Sequence, residues 1–181
     1  MFASTKLRKV AARWRPNIPL IHGETMSLET KANLNEETIE TLQDLIQINI
    51  DSAKGFKESA ESIEDANLAN LFEEMAKTRS QLAEDLKAHV EYSGERPRND
   101  GTFLASLHRT WLDLRAKVAG GDPTTILVDA EKGEDYIKAA YEDALKKTAG
   151  SAVNDVLTQQ YATVKSGHDR VRDLRDAYKA K

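Results

Sequence analysis

Apolar residues recur along this chain at alternating steps of three and four, the spacing that lines one face of an α-helix. From about residue 36 the stripe reads Ile39, Leu42, Ile46, Asn49, Ala53, Phe56, Ala60 and Ile63. Asn35 ahead of Glu36 and Glu37 supplies an N-cap and an acidic first turn. A second helix is expected over about 67–92, with Leu68, Leu71, Phe72, Met75, Arg79, Leu82, Leu86 and His89 on its stripe. The Gly and Pro of the loop Tyr92-Ser93-Gly94-Glu95-Arg96-Pro97 stop it. A shorter helix is expected over about 101–119, with Leu104, Leu107, Trp111, Leu114 and Val118 on one face. Gly120-Gly121-Asp122-Pro123 ends that helix and restarts the chain. A helix over about 123–147 follows, striped by Leu127, Ala130, Glu134, Ile137, Tyr141 and Ala144. The last helix, about 151–179, turns Val153, Leu157, Gln160, Val164, His168, Val171, Leu174 and Tyr178 inward.

Four long helices and one short one imply an all-α fold. The long helices pair as two antiparallel hairpins, joined by about 30 residues that carry the short helix. A connection of that length reaches back along a bundle, so the second and third long helices are expected to run parallel, with a helical crossover between the hairpins.

Five polar residues interrupt these stripes: Asn49, Arg79, Glu134, Gln160 and His168. Charged side chains are seldom fully buried without a partner, so each needs one. A faint internal repeat pairs the first long helix with the third. Asn49 precedes Phe56 by the same interval that separates Glu134 from Tyr141.

Composition narrows the class. The 181 residues suffice for one domain with a real core. Absence of cysteine excludes disulfides, thiolate zinc sites and thiol catalysis, and is compatible with the cytoplasm, the expected location. No apolar run approaches the roughly 18 residues of a membrane span. Charge is uneven. Residues 1–25 hold Lys6, Arg8, Lys9, Arg13 and Arg15 against Glu24, leaving 21 basic and 29 acidic residues beyond them. The acidic body disfavours nucleic acid as a partner. Residues 1–33 are expected to be a flexible basic tail ahead of a bundle over 34–181. Met26 is read as the natural start, the alternatives being a targeting arm or a nucleic-acid-binding arm.

Glu134 with Tyr141, His168, and the run Met75-Ala76-Lys77-Thr78-Arg79-Ser80-Gln81-Leu82-Ala83 carry a resemblance to the ferritin-like, rubrerythrin-like four-helix bundles. In that family the first and third helices each give a Glu, and the second and fourth each give Glu-x-x-His, to hold two iron ions. The resemblance implies Glu134 and His168 as surviving metal ligands. It also implies that Asn49, Arg79, Leu82 and Lys165 stand at replaced ligand positions. Like charges at ~4 Å cost about 4 kcal/mol at an effective dielectric near 20, so Arg79 and Lys165 are expected to expel metal. Arg79 is then available to pair with Glu134 as a buried salt bridge.

The chain also resembles an uncharacterised bacterial family of ferritin-like four-helix proteins, a domain of unknown function. The matching stretches are Glu37–Ile46, Leu107–Leu114, Gly133–Tyr136 and His168–Arg172. That resemblance implies the fold and assigns no reaction.

Two functions therefore stand open. The first is a non-enzymatic helical protein with a degenerate di-iron site, an interaction, structural or stress-associated module without a cofactor. Leu45, Ile48 and Ile50 would widen the first helix enough for a homodimer; a protein partner is unassigned. The second is a metal-binding protein or weak oxidoreductase, with iron or another divalent metal on Glu134 and His168, helped by Glu131 or Glu58. His108, Arg109 and Asp113 are expected on the solvated side of the short helix; His22 and His89 carry no assigned role. Phosphate loops, Gly-x-Ser-x-Gly elbows and His-Glu-x-x-His motifs are absent.

Overall fold

A computed structural model of the chain describes residues 28–99, 114 and 121–180. Those residues form four long α-helices and no strand: α1 (Glu36–Ala60), α2 (Ala66–Tyr92), α3 (Pro123–Lys147) and α4 (Asn154–Lys179). The expected short helix over 101–119 falls outside the described residues apart from Leu114, which is helical and buried. His22, His108, Arg109, Trp111 and Asp113 lie outside them as well.

Local chemistry sets the helix starts. The Asn35 side chain accepts from the Thr38 amide at 2.8 Å. Asp122 accepts from the Thr125 amide at 3.0 Å, with Pro123 in the first turn. Asp65 accepts from the Asn67 and Leu68 amides at 2.9 and 3.2 Å, and its other oxygen accepts from the Tyr178 hydroxyl at 2.6 Å. Each cap satisfies amides that the first helical turn leaves without an internal partner. Asp65→Ala is expected to cost about 1–2 kcal/mol. Chemical denaturation would read this as a lower midpoint with an unchanged slope.

Contacts between side chains fix the helix directions. Phe56 of α1 meets Phe72 of α2 edge-on, ring centroids 5.1 Å apart, across the first hairpin. Tyr161 of α4 donates to Glu142 of α3 at 2.7 Å across the second. From one end of the molecule to the other, Asp65 meets Tyr178, Glu74 meets Arg170 at 2.7 Å, and the Leu82 carbonyl meets Gln160 at 3.3 Å, so α2 and α4 are antiparallel. Asp65 and Leu68 share a recess with Pro123 and Ile126, so α2 and α3 start at the same end.

One hydrophobic core lies between the helices, built from Leu42, Ile46, Phe56, Leu68, Phe72, Leu86, Leu127, Ile137, Tyr141, Leu157, Val164 and Val171 among others. Leu45 and Ile48, expected to serve a second copy, are buried within the chain and belong to that core; Ile50 is half-buried. No helix among the described residues is long and apolar enough to cross a membrane.

Residues 28–33, expected to belong to the flexible tail, are held against the bundle. The Glu29 carboxylate accepts from Asn35, Ser151, Thr38 (3.1 Å) and the Ala152 amide (3.3 Å). Thr30 and Asn33 exchange both backbone hydrogen bonds, and Leu34 is buried. A single acidic side chain thus ties the lead-in to the start of α1 and to the turn between α3 and α4.

Candidate functional site: a buried polar layer

All five polar stripe residues are buried. Arg79 of α2 and Glu134 of α3 form a buried salt bridge through Nη2 and Oε2, with side chains 1% and 0% exposed. Burial lifts the Glu134 carboxyl above its ordinary range, and the Arg79 guanidinium pulls it back down. Taking both charges out of water costs several kcal/mol per ion, which mutual attraction repays only with further hydrogen bonds.

A second network touches all four helices. Asn49 of α1 donates through Nδ2 to the Leu45 carbonyl and to the Tyr141 hydroxyl, both at 2.8 Å. The Tyr141 hydroxyl donates to Gln160 Oε1 at 2.8 Å. Gln160 Nε2 donates to the Leu82 carbonyl of α2. Burial pushes the Tyr141 phenol upward, so it remains a neutral donor.

Glu134 and His168, the two residues singled out as metal ligands, do not bond to each other. Glu134 is taken by Arg79. His168, 7% exposed, turns Nε2 to Asp135 at 2.9 Å and Nδ1 toward Asp169 at 3.4 Å. The helper carboxylates are also engaged or elsewhere: Glu131 pairs with Arg175, and Glu58 with Lys54 at 4.0 Å. Among the described residues, no three His, Asp or Glu side chains are grouped to hold an ion. A di-iron centre needs several carboxylates around open space, and this donor set does not fit one: the only core carboxylate of the pair already faces a guanidinium.

The four replaced positions are not equivalent. Asn49, Arg79 and Leu82 are buried. Lys165, expected to repel metal from inside, is a correction. It lies at the surface, half exposed, and pairs with Asp169 at 2.8 Å. Its neighbour Val164 takes the inward place. That bond from Lys165, joined by His168 and Arg172, holds the Asp169 carboxyl down to about 2.

Sequence reasoning missed three contributors. Asp135, beside Glu134 but off the buried stripe, is the nearer partner of His168. Ser52, one turn after Asn49 on α1, is fully buried. Gly167 gives α2 room: a Cβ there would stand 2.9 Å from Met75 Cε and 3.3 Å from Arg79 Nη2. A glycine one residue before His168 in a helix interior was the available signal. Gly167→Ala gains about 1 kcal/mol of helix propensity but overpacks the site by about 1–3 kcal/mol. A net loss of about 1 kcal/mol is expected, read by thermal or denaturant unfolding.

Fold and site together define an all-helical protein whose interior is organised by an ion pair and a four-helix hydrogen-bond network. Residues 37–147 match the family described as Domain of unknown function (DUF2383), and the chain belongs to that family. No curated protein matches the chain.

Proposed function

We propose that this protein is a non-catalytic, ferritin-like helical scaffold that works by association rather than by chemistry. The observation that carries this reading is the Arg79–Glu134 pair: a tethered guanidinium neutralises the buried carboxylate that a metal would otherwise need. The parallel start of α2 and α3 supports the ferritin-like topology. With both helices beginning at one end, the end of α2 and the start of α3 lie at opposite ends of the bundle, roughly 40 Å apart for a helix of α2's length at ~1.5 Å per residue.

A second copy of the chain is the partner we favour. Between α1 and α2 runs an open groove of about 580 Å³, floored by Ile50, Ala53, Ala60, Ala76 and Ala83. Its rims carry Lys54, Lys57 and Lys77 against Glu61, Glu73 and Glu84. On a body with an excess of acidic residues, this face is charge-balanced, so two copies can meet here without the repulsion that acidic faces impose. Small floor residues let a facing helix approach closely.

Two measurements test the reading. Elemental analysis of protein purified without chelators is expected to find no iron, manganese or zinc in proportion to the chain. Stoichiometric metal that disappears in Glu134→Ala would reverse the assignment in favour of a metal-binding or redox protein. Sedimentation equilibrium is expected to give a dimer that Ala76→Arg converts to monomer, because an arginine on the groove floor has no buried partner. A wild-type monomer at high concentration would remove the homodimer.

A further inference from the structure

Four buried side-chain atoms of the polar layer have no hydrogen-bond partner among the described residues: Asn49 Oδ1, Ser52 Oγ, Arg79 Nε and Glu134 Oε1. All four residues are at most 1% exposed. Buried polar groups in folded proteins are satisfied almost without exception, by protein or by ordered water. Here the inventory is complementary. Arg79 Nε can only donate and the Ser52 hydroxyl can donate, whereas Asn49 Oδ1 and ionised Glu134 Oε1 can only accept. Two donors and two acceptors are the complement of a water molecule, which accepts twice and donates twice.

The fold gathers these residues within about two turns of the bundle interior. Arg79 is bonded to Glu134, and Asn49 to Tyr141, two turns along α3 from Glu134. Near the other end of α1, Thr38 shares a recess with Thr148 at the end of α3, so α1 and α3 are antiparallel. Ser52, one turn beyond Asn49, therefore falls between the levels of Tyr141 and Glu134. Arg79 also lies close enough to Tyr141 to act electrostatically on its hydroxyl.

We propose that this layer binds internal water, one molecule or a hydrogen-bonded pair, accepting from Arg79 Nε and Ser52 Oγ and donating to Glu134 Oε1 and Asn49 Oδ1. The water joins the ion pair to the Asn49–Tyr141–Gln160 network, making a single hydrogen-bonded layer across all four helices. It also supplies the donor that the Arg79–Glu134 contact leaves missing on the carboxylate. A buried water normally keeps two to four such partners, and the site provides four.

A high-resolution crystal structure of the wild-type chain tests this first. Expected is ordered water within hydrogen-bond reach of at least three of the four atoms. A direct bond from Arg79 Nε to Glu134 Oε1, or density for water touching fewer than three, overturns the proposal. Oxygen-17 relaxation dispersion provides an independent count of long-lived waters in solution. The doubly apolar variant Arg79→Met/Glu134→Leu removes one donor and one acceptor while retaining volume, and its count is expected to fall by at least one per chain. An unchanged count overturns the proposal even if the variant is fully folded, and the wild-type crystal decides the matter if it is not.

Discussion

Replacing Arg79 with methionine is expected to destabilise the fold by about 3–5 kcal/mol at neutral pH, because it strands a buried carboxylate. The cause is the partner left behind. Glu134 is fully buried, and burial already raises its pKa while Arg79 lowers it. Without the guanidinium, burial is opposed only by the lesser pull of His168, so the carboxyl of the variant keeps its proton to higher pH. The sign of the pH dependence follows. Below the unfolded carboxylate value, roughly pH 4, both states are protonated and the variant keeps most of its stability. As pH rises toward the raised folded value, the unfolded chain ionises and the native one does not, so stability is progressively lost. Denaturant titrations across pH 4 to 8 should therefore show the gap between wild type and Arg79→Met widening with pH. The compensating double variant Arg79→Met/Glu134→Leu should recover most of the loss or exceed wild type, since apolar residues of similar volume commonly replace a buried pair without penalty. A single variant as stable as wild type, with no pH dependence, would show that Glu134 is hydrated rather than buried with Arg79.

Much of this organisation was legible in the residues, and the exceptions have physical causes. The spacing of Leu42, Ile46 and Phe56, or of Leu127, Ala130 and Ile137, is strictly helical, and each long helix lies where its stripe puts it. Asn35 and the Pro123 restart marked α1 and α3 because cap chemistry is local. The start of α4 was expected about three residues early. Gly150 adopts a positive φ of 83°, and Asn154 reaches back to the Leu145 and Thr148 carbonyls, so the turn extends to 153. Such a reach depends on where α3 ends in space.

Side-chain direction was harder to read than position. Lys165 and His168 are three residues apart, which places them near one another on the helix but not on the same line. A motif alone therefore cannot say that both point inward, and a surface Asp169 was enough to hold Lys165 outside. Asp135 shows the converse, an exposed acidic residue that turns toward a buried imidazole. The Arg79–Glu134 pairing was legible because each is a charge on a buried stripe, and a buried charge requires an opposite one. The partners of Tyr141 were not, because helical spacing puts the ring on the core stripe without saying which side chains its hydroxyl reaches.

Tyr141→Phe, the second large effect expected, isolates that hydroxyl. The ring stays, so packing with the core is kept and no cavity opens. Two hydrogen bonds go: the one that Asn49 donates at 2.8 Å and the one that Gln160 accepts at 2.8 Å. The partners do not suffer equally. Asn49 Nδ2 retains the Leu45 carbonyl, whereas Gln160 Oε1 loses the donor it has among the described residues. An unsatisfied buried group costs about 1–3 kcal/mol, against ~1 kcal/mol for an ordinary hydrogen bond that merely disappears. A total loss of about 2–4 kcal/mol is therefore expected, measured by denaturant unfolding at constant slope. Asn49→Leu/Tyr141→Phe should lose less than the sum of its single variants, because the second substitution removes a group that the first had already orphaned. Strict additivity would mean that Asn49 and Tyr141 act independently, and that the network joining the four helices is not one unit.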